Sequence, residues 1–99
     1  MPRTQDSILK TLEVNRAAIQ RYGVRSLGLF GSAARGESHS ASDLDFLVEL
    51  DRKSFDAYMG LKEFLEGLFN SRVDLVLLDT LKPRLRQTIL EETVHAAGL

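Results

Sequence analysis

The sequence predicts an α/β domain in which a small mixed β-sheet is flanked by helices, in the order α-β-(short α)-β-α-β-α. Three observations predict it. Apolar runs of strand length occur at 24–30, 44–50 and 72–79. Segments with apolar residues at helical spacing precede, separate and follow them. Gly23 and Asn70, residues that readily end helices, stand at the boundaries.

Taken in order, Ile8, Leu9, Leu12, Ala18, Ile19 and Tyr22 predict a first helix over 7–22, stopped by Gly23. "VRSLGLF" (Val24–Phe30) reads as the first strand and ends on Gly31-Ser32. Residues 32–35 leave room for one helical turn, with Gly36 serving the turn after it, and "GESHSAS" is loop-like. "LDFLVEL" (Leu44–Leu50) is apolar at nearly every position, as expected of a strand covered on both faces. Ser54 is placed to cap a helix through Phe69, with Phe55, Tyr58, Leu61, Leu65 and Leu68 on one stripe and Asn70 closing it. "RVDLVLLD" (72–79) is the third strand. A final helix is expected over 81–96, with Pro83 tolerated in its first turn.

The 99 residues suit one compact domain, residues 1–99, with no linker or repeat. Hydrophobic residues at 43% and charged residues at 27% are ordinary for a soluble globular protein. The polar start "MPRTQDSILK" and the absence of a long apolar stretch predict a cytoplasmic protein away from membranes. With no cysteine there is no thiolate metal site. A net charge of −1, from 13 basic and 14 acidic residues, argues against binding long nucleic acids. The basic group Lys82, Arg84 and Arg86 reads as a solvated face.

The chemistry concentrates in "GLFGSAARGESHSASDLDFLVEL" (28–50). Asp43 and Asp45 open the second strand and Asp74 opens the third. The intervening helix is long enough for a crossover, so these strands can run parallel and start at the same end of the sheet. An antiparallel first strand brings Gly31-Ser32 to that end as well. Alternate residues of a strand share a face, so Asp43 and Asp45 crowd each other unless a cation intervenes. Such hard oxygen ligands suit Mg²⁺, and two ions about 3.5–4 Å apart clamp the attacking and leaving oxygens of a phosphoryl transfer. The Gly31-Ser32 turn offers close backbone approach and donors for phosphate. A Walker A reading fails, because Glu37 and Ser38 follow Gly36 where that motif needs Lys and then Ser or Thr.

Other residues read less sharply. Arg35 either touches a phosphate or structures the loop through an acid. Glu49, Asp51 and Asp79 lie at the wrong ends of their strands. His39 reads as solvated, His95 as part of the last helical turn, and Tyr58 as a packed core tyrosine.

"GSAARGESHSASDLD" resembles the Gly-Ser-(x)10-Asp-x-Asp signature of the DNA polymerase β-type nucleotidyltransferase superfamily, with "RVDLVLLD" carrying the third acid at Asp74. The short chain is similar to that superfamily's minimal nucleotidyltransferases (MNT proteins). The resemblance implies that Gly31 and Ser32 hold the triphosphate of ATP; Arg35, read from the loop itself, is a further nucleotide-binding candidate. It implies that Asp43, Asp45 and Asp74 ligate two Mg²⁺ ions and carry the catalysis. It further implies a partner, a HEPN-domain ribonuclease toxin, whose tyrosine receives AMP. Two alternatives stand beside it: an antitoxin that acts by occlusion alone, and transfer to the hydroxyl of a small molecule.

Overall fold

The first helix begins at Thr4. The Ser7 amide donates to the Thr4 hydroxyl at 3.0 Å, and the Thr4 amide donates to the Ser7 hydroxyl at 3.0 Å. From this cap α1 runs Gln5–Val14 in a computed structural model that describes residues 4–36, 43–51 and 54–99. The loop segment 37–42, with His39, Glu37 and Ser38, lies outside the described residues. The single helix expected over 7–22 is interrupted at Asn15. Its side-chain amide donates to the Thr11 carbonyl at 2.8 Å, which competes with the helical ladder, and α2 restarts as Arg16–Gln20.

Strands β1 (Val24–Phe30) and β2 (Leu44–Leu50) fall where the apolar runs place them. Between them, residues 31–36 form hydrogen-bonded turns: the Arg35 amide donates to Gly31 and Ser32 carbonyls, and the Gly36 amide to Ala33. Within residues 31–36 the expected helical turn is present as a bent, hydrogen-bonded loop. Helix α3 (Phe55–Phe69) starts where the Ser54 hydroxyl accepts from the Ala57 amide at 3.3 Å. It stops at Asn70, which adopts the left-handed conformation with φ 49°.

Strand β3 covers Val73–Leu77, shorter than the apolar run, because Leu78–Thr80 tightens into a 3-10 turn. Helix α4 is Pro83–Glu92, and here the expectation of helix to residue 96 is corrected. Thr93 is extended, with φ −78° and ψ 133°, and Val94–His95 form a fourth strand, β4. His95 thus belongs to a strand, where it pairs with Gly28.

Among the described residues the strands form one mixed sheet in the order β3-β2-β1-β4. β2 and β3 are parallel, and β1 is antiparallel to both β2 and β4. Leu27, Leu29, Leu44, Phe46, Val48, Val73 and Leu75 share one face and join Ile8, Leu12, Ile19, Leu61 and Leu65 of the helices in a single buried cluster. Each fully buried side chain of this kind stabilises by roughly 1.5–3 kcal/mol. The opposite face takes the alternate residues, and there Leu47 is buried while Asp45 and Glu49 are only half-buried. The covering of β2 on both faces is thus complete only in its middle. Helix α3 also satisfies two backbone groups of edge strand β3: the Tyr58 hydroxyl donates to the Leu75 carbonyl at 2.5 Å, and the Val73 amide donates to the Glu66 carboxylate at 3.2 Å.

Candidate active site

The sheet register assembles one corner from distant positions. Asp45 of β2 lies beside Asp74 of β3, and on its other side Asp45 pairs with Phe30 of β1. Gly31 and Ser32 therefore leave β1 at the end where β2 and β3 begin. Asp43, two residues before Asp45, precedes β2 at the same corner. Asp43 and Asp74 are exposed and Asp45 is half-buried. Gly31 has φ 76°, and a Cβ at that position would run into the Asp45 carboxylate. Only glycine permits this approach.

Charge is concentrated here. The Asp45 carboxyl is held above the usual carboxylate range, first by burial, then by the negative charges of Asp74 and Asp43, with Glu92 adding to them. The Arg35 guanidinium opposes the shift. The field of the corner thus favours a cation.

Three elements fix the turn. Ala33 is buried in the core. Gln5 at the start of α1 donates its side-chain amide to the Ala34 carbonyl at 2.7 Å. Glu92 at the end of α4 accepts with one carboxylate oxygen from the Gly31 amide and from Arg35 Nη1, each at 3.2 Å. Ser32 is half-exposed within this turn. Glu92 escaped the sequence reading, which placed it in mid-helix. Only the observed end of α4 at Glu92 puts an acid in the last helical turn, where the helix dipole disfavours it and partners elsewhere are needed.

The remaining candidates lie apart. Asp79 sits in the 3-10 turn at the far end of β3, and Glu49 and Asp51 pair with Arg25 at 3.3 and 3.1 Å at the far end of β2. Lys82 and Arg84 are exposed, whereas Arg86 is half-buried and donates to the Leu81 carbonyl at 3.3 Å, so the basic group is not a uniformly solvated face. A cavity of about 200 Å³ lined by Leu50, Ser54, Phe55, Tyr58 and Leu77 opens at the end of the sheet away from the acids.

Among the described residues no three carboxylate or imidazole side chains close into a ready metal cage. Magnesium does not require one, since it keeps several waters and takes one or two carboxylates plus substrate phosphates. Asp43, Asp45 and Asp74, oxygen donors gathered at one corner of the sheet, fit that habit.

The chain is also similar to known proteins. The profile of the family described as "Nucleotidyltransferase domain" matches residues 12–95. The protein adenylyltransferase MntA of Thermococcus cleftensis is 43% identical over 77 residues, 77% of this chain and 78% of the relative. A protein of Methanocaldococcus jannaschii described as a protein adenylyltransferase is 34% identical over 98 residues, 94% of this chain and 98% of the relative. A solved structure described as a minimal nucleotidyltransferase is 41% identical and superimposes with a TM-score of 0.74, over 87% of this chain and 93% of that one. A toxin–antitoxin structure solved with AMP-PNP is 27% identical with a TM-score of 0.66, over 83% of this chain and 69% of that one.

Proposed function

From the premise that the chain belongs to the nucleotidyltransferase domain family, we propose that it transfers AMP from ATP, with Mg²⁺, to a tyrosine hydroxyl of a HEPN-domain toxin and so acts as that toxin's antitoxin. It does so as a single domain in the cytoplasm; among the described residues no helix is long and apolar enough to cross a membrane. The observation that carries the reading is the corner itself: the Asp45–Asp74 register with the Gly31-Ser32 turn in contact with Asp45. The relatives named for protein adenylylation and the toxin–antitoxin neighbour support the acceptor.

In this reading Asp43, Asp45 and Asp74 hold the metal. Bound Mg²⁺ supplies Lewis acidity and offsets the charge of the phosphates. Ser32, the Gly31 turn and Arg35 face the triphosphate. The acceptor oxygen forms a bond to the α-phosphorus as the bond from that phosphorus to the bridging oxygen breaks, and pyrophosphate leaves. Asp74, exposed beside Asp45, takes the hydroxyl proton in this reading. Asp45 and Asp74 sit on paired strands, which keeps them in mutual register, and the turn that carries Ser32 and Arg35 follows directly from β1.

The test is transfer of label from each of the four ribonucleoside triphosphates, labelled at the α-phosphate, to the co-purified partner. Adenylate on a partner tyrosine is expected. Label that stays in solution, or that moves to small molecules alone, contradicts the proposal.

A further inference from the structure

We infer that Glu92 is a positioning residue of the nucleotide site: one oxygen of its carboxylate holds both the Gly31 amide and the Arg35 guanidinium, and so sets the turn that carries Ser32. This rests on the nucleotidyltransferase reading of the corner.

The strand arrangement explains why such a brace is needed. Pairing of β1 with β4 ends at Leu29–Val94 and Gly28–His95. The Gly31 amide lies beyond that ladder. Glu92, two residues before Val94, supplies the acceptor that β4 is too short to provide. The contact therefore continues the β1–β4 edge to the point where the chain bends toward the acids.

The electrostatics make the placement costly by any other account. Glu92 sits at the C-terminal end of α4, where a negative charge is disfavoured. It also acts on Asp45 in the same direction as Asp74 and Asp43. Its hydrogen bonds to Gly31 and Arg35 offset both penalties, and both partners belong to the turn. The other two anchors, Ala33 and the Gln5 contact to Ala34, hold the far side of that turn. Among the described residues, Glu92 is the side chain that holds the Gly31 amide, on the side that touches Asp45.

Two substitutions with two readouts test this. Glu92→Ala removes the acceptor, whereas Glu92→Gln keeps an oxygen for the Gly31 amide and loses the charge that faces Arg35. Amide hydrogen exchange of Gly31, read by NMR on the nucleotide-free protein, should speed up in Glu92→Ala and stay close to the unaltered rate in Glu92→Gln. Equilibrium binding of AMP-PNP with Mg²⁺ should weaken about tenfold in Glu92→Ala, the scale of a lost charge-assisted hydrogen bond, and by less in Glu92→Gln. With Arg35→Ala already present, Glu92→Gln should cost nothing further.

Unchanged Gly31 exchange in Glu92→Ala overturns the inference. So does tighter AMP-PNP binding by Glu92→Ala, which would make the carboxylate a rival of phosphate for the same donors. A flat titration of the unaltered protein is a different failure: it removes the nucleotide reading and leaves Glu92 as a contact of the fold.

Discussion

The α-carbon of Gly31 faces the carboxylate of Asp45 so closely that no side chain fits between them. The Gly31-Ser32 turn and the acid cluster are thus one unit, and a methyl group is enough to separate them. Gly31→Ala faces both this collision and a φ of 76°. The backbone conformation alone costs about 1–2 kcal/mol for a residue with a Cβ. Gly31→Ala should lower the denaturation midpoint and reduce adenylyl transfer to near background. Gly36→Ala is the control, since Gly36 has the same φ of 76° but no described atom within 4 Å of where its Cβ would stand. It should lose comparable stability and keep transfer. Equal loss of activity in both would show that the Gly31–Asp45 contact is not what matters.

The raised Asp45 pKa has a definite sign in stability. An acid that binds its proton more readily in the folded state than in the unfolded one makes the folded state less stable as pH rises from the ordinary carboxylate value through the raised one. Above that window the loss is complete. Asp45→Asn should therefore raise the melting temperature of the metal-free protein at neutral pH, and the advantage should vanish in acid below the ordinary value. Melting curves across pH with a chelator present check this; a lower melting temperature for Asp45→Asn at neutral pH would contradict it.

Metal should reverse that penalty. Adding Mg²⁺ should raise the melting temperature of the unaltered protein, and Asp43→Ala/Asp45→Ala should show no response. Chelation should stop transfer, and restored Mg²⁺ should recover it. Transfer that continues in excess chelator would remove the metal from the account.

Tyr58 is committed to the Leu75 carbonyl. Tyr58→Phe should cost about 0.5–1.5 kcal/mol of stability, the net worth of one hydrogen bond, and leave transfer intact. Urea denaturation and the transfer assay measure the two effects separately. AMP found on Tyr58 itself would overturn this assignment.

The legible parts of the fold were those set by local pattern. β1, β2 and α3 were readable because continuous apolar runs, the Ser54 cap and the left-handed Asn70 are written in neighbouring residues. The corner of Asp43, Asp45, Asp74 and Gly31 was readable because helix length and strand direction decide which strand ends meet. β4 was not readable. Its two residues exist as a strand only through pairing with Gly28 and Leu29, far away in sequence, and "TVHAA" fits a helical pattern equally well. The break at Asn15 was hidden for a similar reason, since the apolar period continues across it. Glu92 followed β4 into obscurity: with the helix drawn to residue 96, no reason remained for it to turn toward Gly31.

The proposed adenylyl-transfer site is made of three strand-end acids and the Gly31-Ser32 turn. Intact-mass spectrometry of the protein and its cognate partner after incubation with ATP and Mg²⁺, beside Asp43→Ala/Asp45→Ala, tests it most directly. Partner mass should increase by whole AMP units with the unaltered protein and stay unchanged with the variant. Unmodified partner in both reactions, bound in a stable complex, would contradict it and identify an antitoxin that acts by occlusion.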